Sequence, residues 1–169
     1  MTRCPLPEGY AIRSATVADI EALDPIRTAA FRPVFASFRR LVGDEIAPYA
    51  FDGAEEEQGD YFRKTLDADD PHRCAVAETD GELAGFVCWT IKDGGEMGIL
   101  AFMFVAPAHQ GFGLGAALTD YACDAMRDAG AKAVEVGTGN DESHGPARAA
   151  YRRAGFTREV PSVYLYKKL

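Results

Sequence analysis

The chain has 169 residues, enough for one ordinary domain with a real core. Its 47% apolar and 26% charged content is that of a soluble globular protein, and no apolar run approaches the length of a membrane span. A net charge of −8 argues against nucleic acid or an anionic membrane as partner and is compatible with a cationic substrate.

Tyr10 to Arg13 reads as a first strand. Thr16 then caps a helix, its hydroxyl placed to accept from the N–H of Asp19. Ile20, Leu23 and Ile26 follow at helical spacing with Pro25 among them, so a kink or a fresh start is expected there. Phe31, Val34, Phe35, Phe38, Leu41 and Val42 predict one amphipathic helix over Phe31 to Tyr49. Its aromatic face reads as core, with a wall of a substrate cleft as the alternative. Asp52 to Asp70 is rich in acids, and Tyr61, Phe62, Thr65 and Leu66 give it a modest apolar side. A solvated acidic helix face is the plain reading, a cation-steering surface the sharper one.

Cys74 to Glu78 and Leu83 to Ile91 flank Asp80-Gly81, the pattern of a two-residue hairpin. Lys92 to Gly95 supplies a second turn into the apolar run Ile99 to Val105, which Pro107 stops. After a glycine-rich turn, Leu114, Leu118, Tyr121, Ala122, Ala125 and Met126 mark one face of a helix that Gly130 ends. Ala133 to Val136 is a strand expected to lie parallel to its predecessor, since a helical crossover separates them. Beyond the polar loop Gly137 to Gly145, Pro146 opens a helix with Ala147, Ala150, Tyr151 and Ala154 inward and Gly155 at its end. Phe156 to Val160 and Val163 to Lys167 are predicted as two last strands. No internal repeat or linker interrupts the chain.

Met1 to Tyr10 lacks the basic-then-apolar pattern of a leader. Cys4, Cys74, Cys88 and Cys123 are scattered, with no C-x-x-C, and read as free thiols of a cytoplasmic protein rather than disulfides or a metal site.

Strand, glycine-rich turn, helix N-terminus is an arrangement that binds phosphate, because the first-turn N–H groups lack partners and the helix dipole favours an anion. Gly115 is followed by Ala116 and Ala117, which excludes a P-loop. The spacing Gly111-x-Gly113-x-Gly115 departs from the dinucleotide fingerprint, and too few residues follow for the rest of such a domain, although Glu135 stands about where its acid would.

Gln110-x-x-Gly113-x-Gly115, preceded by Val105-Ala106-Pro107, resembles the acyl-CoA pyrophosphate loop of the GNAT superfamily of N-acyltransferases. Ala147 to Phe156 resembles that superfamily's second motif, A-x-x-x-Y-x-x-x-G-F, at Ala147, Tyr151, Gly155 and Phe156. The two stand in the family's order, and the resemblance covers Ala75 to the C-terminus. It implies a single N-acetyltransferase domain over residues 1–169, of class α/β. The architecture implied is a mixed, mostly antiparallel sheet flanked by helices, with two splayed parallel strands holding acyl-CoA. The implied activity is acetyl transfer from acetyl-CoA to a primary amine of a small molecule or peptide. A non-catalytic acyl-CoA-binding module or regulatory partner is the alternative, and a nucleotide-dependent oxidoreductase a third. Homodimers are common in the family and are the assembly it suggests.

That chemistry needs a neutral amine, a polarised thioester carbonyl and a proton for the departing thiolate, and a free alkylamine has a pKa near ~10.4. The resemblance casts Tyr151 as the proton donor. For the base it suggests Glu96 at the start of the central strand, with Glu135, His144 or a water relay as alternatives. The backbones of Phe104 and Val105 would pair with pantetheine amides, and Gln110, Gly111, Gly113, Gly115 and Ala116 would cradle the pyrophosphate. Two positions depart from the common pattern: Gln110 stands where many members carry arginine, and His144 where many carry asparagine. His144 and Asn140, which lies earlier in the loop and can substitute for the asparagine, are therefore expected cofactor contacts. His109 beside the loop reads as a phosphate partner or an exposed side chain. No metal is implied.

Overall fold

Alternating apolar residues and two short turns fold the middle of the chain into an antiparallel meander. The computed structural model describes residues 3–169, so Met1 and Thr2 of the N-terminal stretch read above lie outside it. Strand β1 is Ala11–Ser14, β2 Arg73–Thr79, β3 Glu82–Ile91, β4 Met97–Val105 and β5 Ala133–Val136. They form one sheet in the order β1-β2-β3-β4-β5, antiparallel except for the parallel pair β4–β5. The Asp80-Gly81 hairpin is present, both residues at positive φ (50° and 81°), as a two-residue turn with the twist of its strands requires.

Helices cover both faces. On one lie α1 (Ile20–Val42), the short α2 (Ala47–Ala50) and α3 (Ala54–Lys64); on the other lies α4 (Leu114–Asp128), with α5 (Gly145–Arg153) packed beside it. The strand side chains divide accordingly. Val76, Phe86, Cys88, Phe102 and Phe104 join Leu23 and Phe62 under α1 and α3. Ala75, Ala77, Val87, Trp89, Leu100 and Val105 join Leu114, Leu118, Met126 and Tyr151 under α4 and α5.

Three expectations need correction. First, α1 runs unbroken through Pro25 and Pro33 and ends at Val42, where Gly43 turns the chain at φ +77°, rather than restarting and reaching Tyr49. Each proline removes one backbone hydrogen bond, and the burial of Leu23 and Phe35, with Phe31 stacked on Phe102, offsets that loss. Second, Thr16 caps a 3-10 turn, Val17–Asp19, ahead of α1 rather than α1 itself, whose N-cap is Asp19. The expected capping box is present, and the Asp19 carboxylate accepts from the Thr16 N–H (2.8 Å) and hydroxyl (3.1 Å). Third, residues 156–160 and 163–167 form no strand, and the chain after Arg153 is irregular. Val163, Tyr164 and Leu165 are more than 80% exposed there. Alternation without a face to bury leaves pairing unspecified, and the outer edge of β5 has no strand against it among the described residues. Two rings of this tail lean inward: Phe156 toward Tyr151 (5.9 Å) and Tyr166 toward Phe51 (6.2 Å).

Candidate functional site

The site begins with a fault in β4. Trp89 of β3 pairs with Leu100 and Cys88 with Phe102, so Ala101 is an extra residue without an opposite number. Such a bulge bends the strand that carries it. On the other side, β4 and β5 pair from Met97↔Ala133 to Leu100↔Val136 and no further. The strands therefore part at the bulge. From Ala101 to Val105 the edge of β4 that faces β5 has no strand beside it among the described residues, and this stretch holds the Phe104 and Val105 backbones named as pantetheine contacts.

The glycine loop lies just beyond. Gly111 and Gly113 have φ of +87° and +90°, which L side chains rarely adopt, and a Cβ on either would meet open space. Gly113 is the N-cap of α4, so the first N–H groups of that helix point into the open side of the turn. Gly115 and Ala116 lie in this first turn. The Gln110 amide donates to the Val105 carbonyl (2.9 Å), so the side chain fastens the loop to the end of β4. His109 is likewise engaged, its Nδ1 2.7 Å from the Tyr10 hydroxyl.

Opposite the loop stands α5. The glycine pattern at its end works as read: Gly155 has φ +91°, and Phe156 N–H returns to the Tyr151 carbonyl at 3.0 Å. Tyr151 is 8% exposed, packed with Leu114 and Leu118 of α4. Burial pushes its phenol up to about 12, so it is a protonated donor at neutral pH. The hydroxyl has no hydrogen-bond partner among the described residues, and none of their side-chain nitrogens or oxygens is both sealed from solvent and unpaired. Its oxygen therefore reaches an accessible space.

The two carboxylates proposed for the base stand elsewhere. Glu96 precedes the paired stretch of β4, its side chain 67% exposed and ion-paired with Lys132. Glu135 is 52% exposed and 2.7 Å from Lys92 Nζ. Four ladder pairs separate Glu96 from the parting, whereas Glu135 lies one pair from it with its carboxylate turned to Lys92.

Sequence reading missed a cluster in the loop after β5. Asp141 accepts hydrogen bonds at Oδ2 from the Ser37 hydroxyl of α1 (2.7 Å), the Ser143 hydroxyl (2.5 Å) and the Ser143 N–H (3.1 Å). Its Oδ1 lies 2.6 Å from His144 Nδ1. Burial pushes the Asp141 carboxyl up, but bonds from Ser143, Ser37 and His144 together outweigh it and hold the group well below the usual carboxylate range. The His144 ring stacks on Phe38 (5.5 Å, 26°), which in turn stacks on Phe51 (5.6 Å). Arg148 clasps the loop through the Gly139 (2.5 Å) and Asp141 (2.7 Å) carbonyls. Asn140 sits exposed beside this cluster. The signal was the pattern Asp141-x-x-His144 just before Pro146, but nothing local pointed to Ser37, more than a hundred residues away.

The sequence profile of the acetyltransferase (GNAT) family matches residues 39–156. The mycothiol acetyltransferase of Sanguibacter keddieii is 36% identical over 96 residues, 53% of this chain and 30% of that protein. The streptothricin acetyltransferase of Streptomyces lavendulae is 36% identical over 105 residues, 62% of this chain and 49% of that protein. The chain thus spans between about a third and a half of the length of these curated relatives. A ribosomal-protein-alanine N-acetyltransferase from Brucella melitensis shares the fold at a TM-score of 0.60 and 17% identity, over 93% of this chain and 99% of that one.

Proposed function

Because the chain belongs to the acetyltransferase (GNAT) family, whose members use acetyl-CoA, we propose that it moves an acetyl group from acetyl-CoA to a primary amine. The acceptor is a small molecule or a peptide, transfer is direct, and Tyr151 is the general acid. Residues 1–169 act in this reading as one N-acetyltransferase domain of a cytoplasmic enzyme, in keeping with four free cysteines.

The observation that carries the reading is the parting of β4 from β5 at Ala101, between a glycine-opened helix and a buried tyrosine. The residues fit the cosubstrate. Open space lies where Gly111 and Gly113 would carry a Cβ, which suits a pyrophosphate approaching the first-turn N–H groups of α4. Beyond the parting, the edge of β4 at Phe104 and Val105 offers backbone groups to the pantetheine amides, the Val105 carbonyl being shared with the Gln110 amide, and Asn140 sits exposed in the loop after β5. When bound, acetyl-CoA supplies an activated acyl carbonyl and a thiolate leaving group. Tyr151 gives its proton to that thiolate, and it is neutral beforehand because burial holds its phenol up at about 12.

The test is turnover of acetyl-CoA with a panel of amines, streptothricin first because of the relative described above, with thiol release followed for wild type and Y151F. Transfer by the wild type, lost in Y151F while CoA binding persists, supports the reading. No turnover with any amine, or an unchanged rate in Y151F, counts against it.

A further inference from the structure

We propose that His144, held by Asp141 through Nδ1, takes the proton of the acceptor amine at Nε2. This rests on the acetyl-transfer reading and assigns the base to a histidine held within the site loop, where Glu96 and Glu135 are exposed and ion-paired with lysines.

The protonation pattern follows from the partners. Asp141 is met by two hydroxyls and a backbone N–H, all donors, and a carboxylate so surrounded is ionised and can only accept. The 2.6 Å contact with His144 Nδ1 therefore requires a hydrogen on Nδ1. In the neutral ring, the lone pair is then on Nε2. That nitrogen has no partner among the described residues, where no polar side-chain atom is both sealed off and unpaired, so Nε2 faces accessible space. The side chains of His144 and Asp141 are only 15% and 12% exposed, and Phe38 fixes the plane of the ring.

Position completes the case. His144 is the N-cap of α5 and Tyr151 lies seven residues on, two turns along the same face and about 10 Å away along the axis. His144 meets α1 through Phe38, and Tyr151 meets α4 through Leu114 and Leu118. Helix α5 thus bridges the two faces of the sheet where β4 and β5 part, with a proton acceptor near its start and a donor further along. Gly139 is shaped to this pair: a Cβ there would fall 2.5 Å from His144 Nδ1 and 2.7 Å from Asp141 Oδ1.

The protons balance. The acceptor arrives as an ammonium and loses one proton to Nε2, from which it passes to solvent. Its nitrogen lone pair forms the new C–N bond as the C–S bond breaks with its electrons on sulfur. The second nitrogen proton is released to solvent, while Tyr151 protonates the sulfur and recovers its own proton from solvent. One neutral amide, one thiol and one released proton result.

Two readouts test the assignment. The first is the imidazole nitrogen spectrum of the free protein labelled with 15N-histidine: Nδ1–H with a bare Nε2 is expected for His144, and an Nε2–H tautomer overturns the proposal. The second compares H144N, which keeps a polar group toward Asp141 but no basic nitrogen, with H144A. For both, kcat should fall on the order of 10²–10⁴-fold with KM for acetyl-CoA unchanged, and added imidazole should restore part of the rate of H144A. An undiminished kcat in folded H144N overturns the proposal. A wild type that acetylates no amine contradicts the acetyl-transfer reading instead, and the tautomer then still decides whether His144 is poised as described.

Discussion

Leu100 and Val136 make the last pair between β4 and β5, and the next residue of β4, Ala101, has no opposite number on β3. One extra residue on a central strand thus turns a sheet edge into an opening. Met103 and Val105 still pack toward α4 and Phe102 and Phe104 toward α1, so the opening sits between two filled cores.

Glu96 and Glu135 are exposed and paired with Lys132 and Lys92, and with His144 as the proposed base they are bystanders to proton transfer. Surface ion pairs of this kind contribute at most about 1 kcal/mol. E96Q and E135Q should each keep kcat within roughly twofold of wild type and melt close to it. A large loss of kcat in either, with the fold intact, would return the base to that carboxylate.

Gly139 should be intolerant of a methyl group, because its Cβ would collide with the Asp141–His144 contact. G139A is expected to lower kcat by far more than it weakens CoA binding, since the glycine loop lies on another segment and only the proposed contacts of Asn140 and His144 lie near the added methyl. Calorimetric binding of CoA beside steady-state rates checks this, and equal losses of both would point to general damage instead.

Asp19 should account for part of the acid sensitivity of the fold. The Arg13 guanidinium grips it at 2.7 and 2.9 Å, and that contact, with the Thr16 bonds, overcomes burial and lowers its pKa from 3.8 to about 2. A depressed carboxylate pKa stabilises the fold at pH above the unfolded value, and the gain is lost as pH falls through the folded one. With the Arg13 side chain 41% exposed, the contribution is roughly 1–2 kcal/mol. D19N should therefore be less stable than wild type at pH 7, with the gap closing between about pH 4 and pH 2 in urea melts. A gap independent of pH would show that Asp19 acts through packing alone.

Much of this was legible in the sequence because it is local. Asp80-Gly81 set a hairpin, Gly113 opened a helix, and Pro146 and Gly155 bracketed another, each through backbone constraints acting within a few residues. Ala133 to Val136 was read with the bounds it has. The bulge at Ala101 was hidden because a one-residue mismatch depends on the partner strand and leaves an apolar run looking continuous. The bond from Ser37 to Asp141 was hidden because it joins residues 104 apart in the chain. At the C-terminus the failure ran the other way: Val163 to Lys167 has the composition of a strand, yet Val163, Tyr164 and Leu165 have no face to bury against.

The most direct measurement is backbone hydrogen exchange with and without saturating CoA. Binding at the parted strands should slow exchange across Ala101 to Val105 and Gly111 to Ala116 together, while β1 and α3 stay unchanged. Slowing elsewhere, or none in these two stretches despite binding, would contradict the placement of the cosubstrate between β4 and β5.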